Sequence, residues 1–214
     1  MSNLSRCLIA FFILIMSTDN LLSEQVDKNV IDSLVSITDK MHLLDSYKYK
    51  ISTVAFKNKK IRKTTILYNF KKPRCVRIEW LSPRKMRGQL AVYSKGIMKV
   101  APAWLPFVVE MDPDCALASA DTNFPIYKST IVDFMDMIVE GIPVSKSAKT
   151  IEETDSYIIY ELINDTNTAR IKIDKKTDLP IFIEQFDSEG NLINAGYIEN
   201  METNVEFPSD YFDL

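Results

Sequence analysis

The hydrophobic period changes once, near residue 46, and that change constrains the fold more than any composition figure. Val26, Val30, Ile31, Leu34, Ile37, Met41 and Leu44 recur at three- and four-residue steps, which places them on one stripe of a helix. Ser23 is positioned to cap its start, and Asp27, Asp32, Asp39 and Lys40 fall off the stripe. From Tyr47 the pattern alternates: Tyr47, Tyr49 and Ile51 oppose Lys48, Lys50 and Ser52. Such alternation is a half-buried strand. A one-sided helix followed by one-sided strands must share an interior, so the sequence predicts a layered α+β domain.

The strands continue. KNKK (57–60) reads as a turn, with IRKTTILYNF as the return strand of a hairpin that stops at Pro73. In CVRIEWL, Val76, Ile78 and Trp80 face one way and Arg77 and Glu79 the other. GQLAVYSKG and IMKVAP follow as a fourth and a short fifth strand. Residues 102–128 lose periodicity and hold Pro102, Pro106, Pro113 and Pro125 beside apolar Trp104, Leu105, Phe107, Val108 and Val109. A long irregular segment inside a compact domain is usually a lid or a binding loop. Ser129 then caps a second helix with Ile131, Phe134, Met135, Ile138 and Ile142 inward and Gly141 at its end. SYIIYELIN, ARIKIDKKT, PIFIEQFD and LINAGYIENMETN complete the chain as a four-stranded antiparallel meander.

The N-terminus carries Arg6, then the continuous apolar run Cys7–Met16, then polar residues. The run is shorter than the roughly 20 residues of a membrane span and fits the core of an export signal. The expected organisation is a signal over residues 1–23, cleaved after Ser17 or Ser23, and a single domain over 24–214. The alternatives are an uncleaved anchor or a buried helix. Export implies a periplasmic location, where Cys75 and Cys115 are free to form a disulfide or to sit as buried thiols. Spacing alone does not choose between these.

Charge is divided sharply along the chain. Residues 48–99 hold 16 Lys and Arg against the single acid Glu79, and residues 100–214 hold seven against 22 acids. The basic block could approach anionic headgroups or nucleic acid. Mutual neutralisation within one fold is the better reading, and a pI near 5.3 argues against nucleic acid.

Much enzymology is excluded. With 5 Gly there is no phosphate-binding glycine loop, and with one His, His42, there is no site needing two imidazoles. His42 reads as a solvent-facing residue of the first helix. Asp112, Asp114 and Asp121 lack the spacing of a calcium loop, and Glu152, Glu153 and Asp155 read as an acidic turn. No catalytic residue, metal site or cofactor is assigned.

Several marks recur in one order. They are Lys71-Lys72-Pro73, Trp80-Leu81, Gly88 with Val92-Tyr93 and Gly96, Asp112-Pro113-Asp114, Pro125-Ile126 and the ending IDKKTDLPIFIEQFDSEGNL. In this order the chain resembles an exported bacterial family of the LolA-like superfamily, which includes the lipoprotein carriers LolA and LolB. The resemblance implies a strongly curved antiparallel sheet, open as an incomplete barrel, with helices covering its concave apolar face. It also implies a non-enzymatic binding protein that holds lipid or lipoprotein acyl chains in that concavity. The implied lining is Ile51, Val76, Ile78, Trp80, Val92, Trp104, Leu105, Phe107, Phe134 and Ile138. The implied partners are acyl chains, an anionic membrane surface and membrane-bound lipoprotein machinery. LolA carries an Arg before the Pro of the matching step, which helps hold its lid closed. Lys72 takes that position here, at the expected mouth of the cavity, without the planar donor fork of Arg. The alternative is a protein-interaction or sensor module with a filled core. The resemblance does not carry ligand identity.

Overall fold

The computed structural model describes residues 26–57, 60–115 and 126–214. The expected signal, Ser23 and Asp121 lie outside the described residues. The chain runs α1 (Lys28–His42), β1 (Ser46–Lys57), β2 (Lys60–Lys71), β3 (Cys75–Ser82), β4 (Leu90–Ser94), β5 (Ile97–Ala101) and β6 (Val109–Met111). It continues with α2 (Ile131–Gly141), β7 (Ser147–Glu153), β8 (Tyr157–Ile163), β9 (Asn167–Asp174), β10 (Leu179–Asp187) and β11 (Leu192–Thr203).

The strands form one sheet in the order β6-β5-β4-β3-β2-β1-β11-β10-β9-β8-β7. Every strand pair in it is antiparallel. β6 and β7 are the two edges, so the sheet is open rather than closed into a barrel. Register shifts between β1 and β11 and in β3, β7 and β10 bend the strands, as inserted residues do.

Register sorts the residues into two faces. Tyr47 lies opposite Phe70, Phe70 opposite Val76, Val76 opposite Tyr93, and Tyr93 opposite Met98. The next row is Tyr49, Tyr68, Ile78, Ala91 and Val100, and the next is Ile51, Ile66 and Trp80. Beyond β1 the same face carries Ile183, Ile171 and Tyr160. These residues, with Val30, Leu34, Ile37 and Met41 of α1 and Ile131, Met135 and Ile138 of α2, make up the core cluster and the side chains packed on it. This concave face is therefore the buried one, and both helices lie on it. Gly196 opens room for Ile51 there: a Cβ at Gly196 would stand 3.3 Å from Ile51 Cδ1.

The helix ends differ from their expected positions. α1 starts at Asp27, whose carboxylate accepts from the Asn29 N–H. The cap thus sits where the chain leaves its bridge to β7, at Val26 against Ala148. α2 is capped by Thr130 rather than Ser129, in a capping box: Thr130 Oγ1 accepts from Asp133 N, and the Asp133 carboxylate accepts from Thr130 N. Ser129 instead donates its hydroxyl to Ile126 O. Gly141 does not stop α2 in a left-handed conformation, because its φ is −76°; the chain runs on into a 3₁₀ turn at Ile142–Val144.

Two edge strands escape the sequence pattern. β6 has only three residues and lies within the segment expected to be irregular. β7 takes in Glu152 and Glu153 of the expected acidic turn. Its residues from Lys149 onward are exposed, which erases the alternation. Short and charged edges are how sheets avoid pairing with other chains.

Across β1 and β11 the convex face carries ion pairs. Lys48 pairs with Glu202 at 3.0 Å and Lys50 with Glu199 at 2.6 Å, joining the basic block to the acidic one. Residues 205–214 cross this face over β3–β5. There Arg77 donates to Tyr211 O at 2.9 Å with its guanidinium 4.9 Å from the Tyr211 ring, and Lys99 donates to Leu214 O.

Candidate functional site

The concave face is aromatic at its centre. Tyr47 stacks on Phe70 with ring centroids 4.7 Å apart, and Tyr49 stacks on Tyr68 at 5.1 Å. Burial pushes the phenols of Tyr47, Tyr49 and Tyr68 well above their ordinary range. They stay neutral in any physiological medium and act as apolar walls with a polar tip. Tyr68 donates its hydroxyl to Ile126 O, whereas the Tyr47 hydroxyl is buried without a hydrogen-bond partner among the described residues.

Of the ten expected lining residues, six gather on this face. Val76, Ile78, Trp80 and Ile138 are buried in the core cluster, and Ile51 and Phe134 pack against it half-buried. Val92 does not join them. Its register partners are Arg77 and Lys99, so it points to the convex face, where residues 205–214 lie over it. The parity of β4 had no visible anchor in the sequence, because Ala91, Val92 and Tyr93 are all apolar enough to face inward. Trp104 and Phe107 are 75% and 56% exposed, and Leu105 is half-buried. All three belong to the β5–β6 connection rather than to the helix-covered face.

The segment entering α2 is fastened to the sheet by polar contacts along one edge. Arg74, in the β2–β3 turn, donates to Asp133 Oδ1 at 2.8 Å and to Tyr127 O at 2.9 Å. The same Asp133 closes the capping box of α2, so one carboxylate both starts the helix and clasps it to the sheet. Tyr127 stacks on Tyr93 at 4.5 Å and donates its hydroxyl to Asp114 at 2.7 Å. Lys72, the expected residue at the mouth, is half-exposed and stands 3.5 Å from Asp45. The clasp is made by the arginine after the proline instead of the residue before it. Its signal in the sequence was an Arg next to a turn and an Asp three residues into a capping box, which spacing alone cannot bring together.

The two helices also hold each other. His42 is exposed, as expected, and its Nε2 lies 2.7 Å from Asp136 Oδ1, which also links α1 to α2. Cys75 and Cys115 are free, half-buried thiols, so the disulfide open to them is not formed. Asp112 spends its carboxylate on the Asp114 N–H, and Asp114 is engaged by Tyr127 and Lys128. A shallow, solvent-open depression of about 620 Å³ lies between the β4–β5 turn and residues 110–113, and none of the expected lining residues borders it. Among the described residues no helix is long and apolar enough to cross a membrane.

No family model matches the chain, and no curated protein matches it. Solved structures do. MucB matches at a TM-score of 0.55 and 12% identity, over 88% of this chain and 63% of MucB. The Pseudomonas aeruginosa MucA/MucB complex matches at 0.54 and 13%, over 87% of this chain and 61% of the matched one. The chain therefore spans about three-fifths of those relatives. A conserved protein from Thermus thermophilus matches at 0.50 and 9%, over 86% and 92%. A LolA superfamily protein from Nitrosomonas europaea matches at 0.45 and 11%, over 86% and 97%. At these identities the likeness is one of fold. This chain's open antiparallel sheet, with two helices on its concave apolar face in the order helix, six strands, helix, five strands, is the architecture that the LolA-like resemblance of its sequence implies.

Proposed function

We propose that the protein is an exported binding protein that holds lipid or lipoprotein acyl chains between the curved sheet and its two helices, without catalysing a reaction on them. The observation that carries this reading is the contrast across α2. Its inner side lies on a broad aromatic and aliphatic surface, Tyr47, Tyr68, Val76, Ile78 and Trp80, while its N-terminus is tethered by the polar Arg74–Asp133 contact. Releasing this clasp together with the His42–Asp136 contact would let the helix lift and expose that surface. Each methylene moved from water onto it gains about 0.8 kcal/mol, so two acyl chains need no covalent step to stay bound. The apolar run at residues 7–16 supports export to the periplasm.

A second reading is favoured by the MucB likeness. MucB is solved in complex with MucA, and a module of this kind could dock a protein on a core filled by its own side chains. The experiment that separates the two is mass spectrometry of an organic extract of the protein, produced with its own N-terminus and purified after export. Co-purifying diacyl lipid near one molecule per protein is the expected result. A lipid-free protein that also fails to bind a fluorescent fatty acid overturns the carrier reading.

A further inference from the structure

The β1–β2 hairpin overhangs both of its neighbours. β2 pairs with β3 only as far as Thr65 and Ser82, and β1 pairs with β11 only as far as Ala55 and Asn194. Beyond those points the ribbon pairs only with itself, through Phe56 with Ile61 and Lys57 with Lys60. Phe56 and Ile61 are therefore cross-strand neighbours on one face, and they are 41% and 60% exposed. An aromatic–aliphatic pair held in register at the end of a ribbon, with no core to enter, is not explained by folding.

The antiparallel register brings the β3–β4 and β5–β6 connections to the same end of the sheet on one side of the hairpin, and the β10–β11 and β8–β9 turns, with Asp187, Glu189 and Asp165, to that end on the other side. The β3–β4 turn leaves from Ser82, and the β5–β6 connection leaves from Ala101, which lies opposite Leu90. The first carries exposed Arg84, Lys85 and Arg87; the second carries exposed Trp104 and Phe107. No acidic residue occurs between Asp45 and Glu79. Among the described residues Lys60, Lys63, Arg84 and Lys85 make no ion pair, in contrast to Lys48 and Lys50 lower on the same ribbon, which are paired to β11. Lys60, Lys63, Arg84 and Lys85 thus form a group of cations on the β1–β5 side of this end, while Arg62 on the same hairpin is engaged.

We propose that this end of the sheet docks on an anionic lipid bilayer, with Phe56 and Ile61 entering the headgroup layer and Lys60, Lys63, Arg84 and Lys85 meeting the lipid phosphates. Exposed apolar side chains ringed by unpaired cations, with a Trp nearby, suit the membrane–water interface, where one layer offers both acyl surface and negative charge. Phe56 and Ile61 stand on the hairpin, and Trp104 and Phe107 on the β5–β6 connection, as insertion into a fluid surface allows. The proposal concerns the outer end of the sheet and does not rest on what the concave face holds.

The test uses the whole chain and phosphatidylcholine vesicles with and without phosphatidylglycerol, read by co-sedimentation and tryptophan emission. Trp80 is 6% exposed and Trp104 is 75% exposed, so a blue shift reports Trp104. Expected are sedimentation and a blue shift with the anionic vesicles only, both lost in about 0.5 M salt. A Lys60→Gln/Lys63→Gln variant should partition about 25-fold more weakly, at about fivefold per cation. A Phe56→Ser/Ile61→Ser variant should lose about tenfold or more. All four positions lie on the exposed end of the ribbon, so unchanged thermal unfolding will show that the variants are folded. Every protein carries the same N-terminal run, so a difference between wild type and variant reports the hairpin alone. The proposal is overturned by absence of binding to anionic vesicles, by binding that both variants retain, or by hairpin-dependent capture of an acidic protein with no vesicle binding.

Discussion

Arg74 Nη2 stands 2.8 Å from Asp133 Oδ1, so the turn after β2 grips the first turn of α2 across 59 positions of sequence. Asp133 is mostly buried and already accepts from Thr130 N and Thr130 Oγ1. Replacing Arg74 by Ala should cost about 1.5–3 kcal/mol, the range for a hydrogen bond to a charged group. Lys should restore little of it, for want of the second donor that reaches Tyr127 O. Denaturant titration checks the magnitude. Hydrogen exchange should locate the loss in α2 and residues 126–130; uniform acceleration across β8–β10 would refute a local clasp.

Thr130→Ala removes the acceptor for Asp133 N and should destabilise the protein by about 1 kcal/mol. Ser129→Ala should cost less, since its hydroxyl caps no N–H of the helix. Equal costs at the two positions would contradict the assignment of the cap to Thr130.

Met135 is fully buried between α2 and the sheet. Met135→Ala should cost about 2–5 kcal/mol in an urea titration, whereas Trp104→Ser should stay within about 0.5 kcal/mol because its ring is largely in water. A large loss at Trp104 would mean that the β5–β6 connection packs on the domain.

Glu161 sits between Lys149 at 3.1 Å and Arg170 at 2.8 Å. Burial pushes its carboxyl up, but the hydrogen bonds from Arg170 and Lys149 outweigh burial and hold it below the ordinary value of 4.5. A depressed folded value means that the unfolded chain takes up this proton first as pH falls. The stabilisation is complete above about 4.5 and is lost as pH drops through the lower folded value. Glu161→Gln should flatten the acid limb of a stability–pH curve and leave two cations facing a neutral amide at pH 7. An unchanged acid limb would show that other carboxylates set it.

Much of the architecture was legible because it depends on local periodicity. The stripe Val30, Leu34, Ile37 and Met41 and the alternation Val76, Ile78, Trp80 are consequences of 3.6- and 2-residue repeats, and both face the core as read. β7 was hidden because an edge strand buries too little to alternate. Val92 was misplaced because Ala91, Val92 and Tyr93 carry no polar marker of parity. The six lining residues that gather on the concave face came from strands and helices with clear periods; Trp104, Leu105 and Phe107 came from a segment with none.

The sequence by itself determined which segments are helices and central strands, because each pattern needs only neighbours a few positions away. It also determined that the charge is divided, with the basic block over β1–β5. Only the tertiary structure decided that Arg74 rather than Lys72 clasps α2, that His42 bridges the helices, and that Phe56, Ile61, Trp104 and the Arg84 turn share one end of the sheet. Those relations join residues tens of positions apart. They are set by strand order and register, which follow from packing the whole apolar face at once and leave no mark in any single stretch of chain.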